Sequence, residues 1–279
     1  MARGGIRLAR TGGITTVRAA VLATVLVTVL AVLLSGCGAA STPAPPPAGA
    51  SFDYQLGGAY DLDQGVDVVV RDRSAAPAAA YSICYVNAFQ TQPGESGDWP
   101  DELLLRDASG DVVFDPDWPD EVLVDTSDAE AVLAVVDPWI RGCADDGFEA
   151  VELDNLDSYS RSGGLLTRAD AIVLARRLVD VAHAAGLAAA QKNAAEDAVV
   201  LHASAHFDFA IAEECAAFRE CHAYTDVYGD DVLDVEYADA LDAPFAVACT
   251  FRERPRAMIL RDRGLVTPDD AGYVFERCP

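Results

Sequence analysis

The chain is almost without lysine. Lys192 is its single lysine, against nineteen arginines. No Cys-x-x-Cys pair occurs, which argues against a structural zinc site. There is no glycine-rich phosphate loop, so the nucleotide-binding motifs are excluded. No Gly-x-Ser-x-Gly elbow surrounds Ser158 or Ser160, so the serine-hydrolase signature is missing too. His202 and His206 have the i, i+4 spacing of a zinc helix. No acid lies between them, however, and a helix-to-strand junction is expected there. Asp61-Leu-Asp-Gln-Gly-Val-Asp67 has its glycine misplaced for a calcium loop and lacks the closing glutamate, so it reads as an acidic turn. Nothing in these patterns implies a cofactor or a metal.

Acids are absent from the first 36 residues, which carry Arg3, Arg7, Arg10 and Arg18. The apolar run Ala19 to Leu34 falls short of the roughly 20 residues a spanning helix needs. A basic head, a short apolar core and Leu34-Ser-Gly-Cys37 predict a lipoprotein signal over 1–36. Cys37 is then the lipidated N-terminus, and the protein is exported and held on the outer face of the cell membrane through its lipid alone. Residues 37–50 read as a stiff Pro/Ala tether. Residues 51–279 remain for one domain. Beyond residue 36 there are 16 basic and 45 acidic residues, a formal balance of −29. Such a surface repels nucleic acid and attracts polycations. Six cysteines remain: Cys84, Cys143, Cys215, Cys221, Cys249 and Cys278. An even number in an exported chain fits disulfides. Cys215 and Cys221 are neighbours in sequence. Cys249 with Cys278 would tie down the C-terminus, and Cys84 with Cys143 would join an early strand to a helix.

Strand and helix patterns alternate along the domain. Strands are expected at 52–56, 66–71, 81–87, 122–124, 148–154, 187–192, 207–213, 232–237 and 245–250. Helices are expected at 128–145, 167–185, 195–202 and 216–224. Thr167 caps the best of them and Gly186 ends it. Alternation of this kind predicts parallel strands with crossover helices, an α/β fold of the TIM (β/α)8 type. The stretch 90–119 holds four prolines and two tryptophans with little periodicity. It reads as a long loop over one mouth of the barrel.

The strand ends are acidic. In Gly147-Phe-Glu-Ala-Val-Glu-Leu-Asp-Asn-Leu-Asp157, Glu152 and Asp154 share one strand face. Phe207-Asp-Phe-Ala-Ile-Ala-Glu-Glu-Cys215 ends in Glu213 and Glu214. Buried carboxylates are costly unless paired or used. A barrel gathers its strand C-termini at one face, so these acids meet there with Asp72, Tyr85, Asn155, Asp157, Lys192, Glu236 and Tyr237. Two carboxyl groups in different states can cut a glycosidic bond. Lys192 beside Asp154 would hold that acid ionised. The apolar strand around Glu213 is expected to raise its pKa by desolvation, which suits a general acid.

At these residues the chain resembles glycoside hydrolase family 114, the endo-α-1,4-polygalactosaminidase-like TIM barrels. The matching blocks are Tyr54-Gln-Leu56, Ile83-Cys-Tyr85, Trp118-Pro-x-Glu121 with Asp125, Val151-Glu-x-Asp-Asn155, Asp157-x-Tyr159, Lys192-Asn193, Glu213-Glu-Cys215 and Glu236-Tyr237. The resemblance implies a secreted hydrolase of α-1,4-linked galactosamine-containing polysaccharide, with Asp154 as nucleophile and Glu213 as acid/base in a retaining mechanism. A cationic galactosamine polymer agrees with the acidic surface. Glu152, Asp157, Glu214 and Lys192 would tune the pair, and Asp72, Tyr85, Asn155, Glu236 and Tyr237 would hold sugar. The expected protein works as a monomer. The alternatives are a non-catalytic glycan-binding lipoprotein on the same barrel, a metal-dependent hydrolase using the acids as ligands, and a hydrolase of another α-linked polymer.

Overall fold

Successive apolar strands here carry β-branched or small residues on both faces, which suits a sheet covered on both sides. In the computed structural model they form one sheet in chain order. The structure describes residues 1, 2, 4, 5 and 43–279. The apolar signal run and Cys37 lie outside the described residues. The strands are β1 (Phe52–Gln55), β2 (Val68–Asp72), β3 (Tyr81–Asn87), β4 (Ala150–Asp154), β5 (Ala188–Lys192), β6 (Phe209–Glu213), β7 (Val232–Tyr237), β8 (Ala257–Arg261) and β9 (Phe275–Arg277). β1 to β8 pair in parallel, and β9 runs antiparallel to β8.

The sheet curls until β8 lies beside β1, as in a TIM barrel. A side chain joins the two. Arg261 is fully buried on β8 and donates to the Tyr54 carbonyl and, at 3.1 Å, to the Asp53 carboxylate of β1. It also donates to the carbonyls of Val266 and Val274, so one guanidinium fixes the seam and the C-terminal loop together. The barrel interior holds Phe52, Val70, Ile83, Phe209, Ile211, Val235 and Ile259. The opposite strand faces pack outward on the helices.

Helices cover only part of the barrel. α1 (Ala129–Asp146) is capped by Asp128, which accepts from the Ala131 N–H, and ends at Gly147 with φ of 98°. α2 (Arg168–Ala184) is capped by Thr167 and packs on α1. α3 (Cys221–Tyr228) leads into β7, and the remaining crossovers use short helical turns. No helix among the described residues is long and apolar enough to cross a membrane. The disulfides are Cys84–Cys143, Cys215–Cys221 and Cys249–Cys278. The first ties the outer face of β3 to α1.

Two expectations are corrected. Residues 245–250 are not a strand: Phe245–Ala248 is a helical turn that begins after Pro244. The eighth strand is instead Ala257–Arg261, whose short apolar core between arginines hides its pattern. Residues 122–124 form isolated antiparallel bridges to the long excursion after β3 rather than a barrel strand. The end of the Pro/Ala segment packs on the domain: Pro46 and Ala50 are buried, and the Tyr81 hydroxyl donates to the Ala44 carbonyl at 2.7 Å.

Candidate active site

Side-chain alternation puts Ala150, Glu152 and Asp154 of β4 into the barrel, with Ala188, Ala190 and Lys192 of β5 beside them. The alanines leave space near the top of the interior. Tyr54 of β1 reaches into it from the opposite wall. Its hydroxyl donates to Glu152 Oε1 at 2.7 Å and accepts from Lys192 Nζ at 2.9 Å. Lys192 is buried, with Nζ at 3.1 Å from Glu152, 3.4 Å from Asp154 and 3.3 Å from Glu213. It also lies over the rings of Tyr54 and Tyr85. Burial works against its charge, but the three acids outweigh that and hold the ammonium well above the ordinary lysine range.

Asp154 and Glu213 thus share one ammonium. Their contacts of 3.4 and 3.3 Å to it bound the separation of their nearest oxygens at the sum, 6.7 Å. Each acid is fixed on both oxygens. Asp154 Oδ1 accepts from the Asn155 N–H at 2.7 Å, and Oδ2 accepts from the Tyr85 hydroxyl at 2.8 Å. Glu213 Oε1 accepts from the Tyr237 hydroxyl, and Oε2 accepts from Asn193 Nδ2 at 3.0 Å. Burial pushes Glu213 up. The Lys192 charge and the bonds from Tyr237 and Asn193 overcome it, so the net shift is downward. This corrects the expectation of a raised Glu213: the apolar strand is there, but three donors converge on the carboxylate. Of the three acids around Lys192, Glu152 is the one whose pKa is raised, to about 7, by complete burial against a partial pull from Lys192.

The backbone repeats one device at three strand ends. Asn155 follows Asp154, Asn193 follows Lys192 and Glu214 follows Glu213, and all three are left-handed with φ of 64°, 49° and 62°. The chain turns away directly after each cleft residue, leaving that side chain pointing up into the mouth. Asparagine tolerates this conformation, whereas glutamate at 214 is strained by roughly 1–2 kcal/mol.

Other expected residues sit around this centre in distinct ways. Asn155 Oδ1, Asp157 and the buried Asp115 of the excursion all accept from Arg161, at 3.0, 2.8 and 2.6 Å. Asp72 is held at the rim by Ser74 and by Gln92 of the same excursion. The stretch 90–119 therefore does lie over the C-terminal mouth. Glu214 accepts two bonds from Arg263, whose guanidinium also lies 4.4 Å from the centre of the Tyr237 ring. Glu236 does not line the cleft. It is on the outer face of β7, fully buried, and accepts from the Ala216 and Ala217 N–H groups of the turn after β6. His202 Nδ1 donates within its own segment to the Phe207 carbonyl, at 2.9 Å.

The sequence pattern gave no role to Arg161 or Arg263, and it marked Tyr54 and Asn193 only within matching blocks, without their bonds to the acids. Arg161 had a signal, since it lies four residues beyond Asp157 on a helical turn. Arg263 was hidden because it follows the unrecognised β8.

The family model for glycoside-hydrolase family GH114 matches residues 35–279. No curated protein sequence matches the chain. Among solved structures it resembles Ega3 of Aspergillus fumigatus in complex with galactosamine, at 21% identity and a TM-score of 0.70. That match covers 85% of this chain and 98% of the other. It also resembles a variant of the PelA glycoside hydrolase domain of Pseudomonas aeruginosa, at 16% identity and a TM-score of 0.55, covering 81% of this chain and 98% of the domain. With a family match over nearly the whole barrel and carboxylates gathered at its C-terminal mouth, the chain belongs to glycoside-hydrolase family GH114 and is a glycoside hydrolase.

Proposed function

We propose that the protein cleaves α-1,4-linked galactosamine-containing polysaccharide with retention of configuration, outside the cell, anchored by a lipid on Cys37. The observation that carries the mechanism is the shared ammonium. Retaining enzymes hold their two carboxyl groups about 5–5.5 Å apart, and inverting ones about 6.5–9.5 Å. The bound of 6.7 Å favours the closer class.

Asp154 attacks the anomeric carbon as the bond to the leaving oxygen breaks. Glu213 gives that oxygen a proton, and a glycosyl ester forms on Asp154. Water then attacks the ester while Glu213 takes its proton, and Asp154 returns as a carboxylate. Burial is the largest influence on Glu213, whose side chain is still 24% exposed. A sugar covering that remainder strengthens desolvation and favours the protonated form for the first step. Once Asp154 is esterified its charge no longer competes for Lys192. The undivided ammonium then favours ionised Glu213, the form left after the first proton transfer and the one that serves as base.

The acidic surface and the galactosamine bound by Ega3 support an amino-sugar polymer as substrate. The test is reducing-end release from α-1,4-galactosamine polymer, with the anomer of the first product followed by NMR. Wild type should release α-anomer, and Asp154→Asn and Glu213→Gln should release none. Release by both variants, or an initial β-product, sinks the reading. Cys37→Ala should move the protein from the membrane fraction to the medium.

A further inference from the structure

One carboxylate at the cleft has no part in the bond-breaking steps. Glu121 lies in the excursion after β3, in a turn closed by its N–H to the Trp118 carbonyl at 2.9 Å. It is only 9% exposed. Oε2 accepts from Gln90 Nε2 at 2.6 Å and from Asn87 Nδ2 at 3.2 Å. Oε1 accepts no hydrogen bond, and no arginine or lysine pairs with Glu121, among the described residues. Asn87 is level with Asp154 across the β3–β4 ladder, and its Oδ1 accepts from Asn155 Nδ2 at 3.1 Å. A hydrogen-bonded path through Asn87 and Asn155 therefore links Glu121 to the reacting acid.

A carboxylate that is nine-tenths buried ordinarily has a cation or several donors. Here one oxygen is left open. Burial and the Asp154 charge raise Glu121 to about 7 against the two amide bonds, so the position lacks positive charge. Trp118 of the same turn is 50% exposed. Its ring offers a face for sugar C–H groups or for a cation.

We propose that Glu121 is a specificity residue that accepts the 2-ammonium group of the galactosamine unit held against Asp154, so that a free amine is preferred over an N-acetyl group there. This rests on the galactosamine reading above. An N-acetyl group in the same place presents a bulky neutral amide to the open oxygen. A free amine supplies the charge and donors that the carboxylate lacks.

The experiment is calorimetric titration of wild type, Glu121→Gln and Glu121→Asp with galactosamine tetramer and with its N-acetylated form. The glutamine carbonyl can still accept from Gln90 and Asn87, so only the charge is lost. Wild type should bind the free-amine tetramer about 10- to 100-fold more tightly, the range of a charged hydrogen bond. Glu121→Gln should lose most of that ratio through weaker binding of the free amine. Glu121→Asp keeps the charge and should keep a preference even if the glutamine variant folds poorly. An unchanged ratio in Glu121→Gln, an equal loss on both ligands, or no preference in wild type and Glu121→Asp overturns the assignment. Turnover is scored separately. Binding with the expected ratio but without cleavage would sink the hydrolytic reading and leave this one standing.

Discussion

Replacing Glu152 by glutamine should change how stability depends on pH. Glu152 is fully buried and its pKa is raised from 4.5 to about 7, first by burial and then, against Lys192, by Asp154. An acid raised in the folded state binds a proton that the unfolded chain has released. Its stabilising share is complete below pH 4.5, falls as pH rises, and is gone above about 7. At 1.36 kcal/mol per unit, wild type should lose on the order of 3 kcal/mol across that window through this residue. Glutamine can keep its carbonyl where Oε1 accepts from Tyr54 and faces Lys192, and its amide takes the place of Oε2, which already has no partner. The variant should therefore lack this pH term while keeping the packing. Glu121 and Glu213 titrate in both proteins and largely cancel in the difference. Urea unfolding from pH 4.5 to 8 measures it: the midpoint of wild type should fall relative to the variant by roughly 1 M. Midpoints that run parallel would refute the reasoning. They would mean that Lys192 keeps Glu152 ionised throughout.

Three further outcomes follow from the same geometry. Tyr237→Phe removes a donor to Glu213 Oε1, so the Glu213 pKa should rise and the alkaline limb of kcat/KM should move up by about one pH unit; an unmoved limb refutes it. Lys192→Met leaves Glu152, Asp154 and Glu213 without their shared cation, and should cost about 3 kcal/mol of stability with at least about 100-fold of kcat, read by urea unfolding and initial rates. Removing the Cys249–Cys278 bridge, which closes a separation of 29 residues, should cost about 3 to 4 kcal/mol in unfolding while kcat stays within a few-fold, because the bridge is remote from the acids.

The parts of this structure that were legible in the sequence are those governed by local periodicity. Alternation along 150–154 placed Glu152 and Asp154 on one face, and both point into the barrel. The capping of α2 by Thr167 and its end at Gly186 were equally local. Where local pattern was ambiguous the reading went astray. Phe245–Thr250 has the composition of a strand, yet Pro244 starts a helical turn there, and the true β8 between Ala257 and Arg261 is too short to announce itself. Glu236 shows the limit of strand-end reasoning. It is one residue from Tyr237, so it faces the other way, and the parity that placed Glu152 correctly would have excluded it.

The electrostatics of the site depend on contacts that sequence distance conceals. Tyr54 and Lys192 are 138 residues apart and meet only because β1 stands across the barrel from β5 and because Ala188 and Ala190 leave the space between. The same meeting decides which acid holds a proton. An apolar strand around Glu213 argues for a raised pKa, and an acid on β4 next to the lone lysine argues for a lowered one. The folded site reverses that assignment for Glu213, because Lys192, Tyr237 and Asn193 all reach it, while Glu152 below them keeps one oxygen with no partner. Burial acts on both acids, so the number of donors that converge on each sets the outcome, and that number is a property of the closed barrel rather than of any one strand.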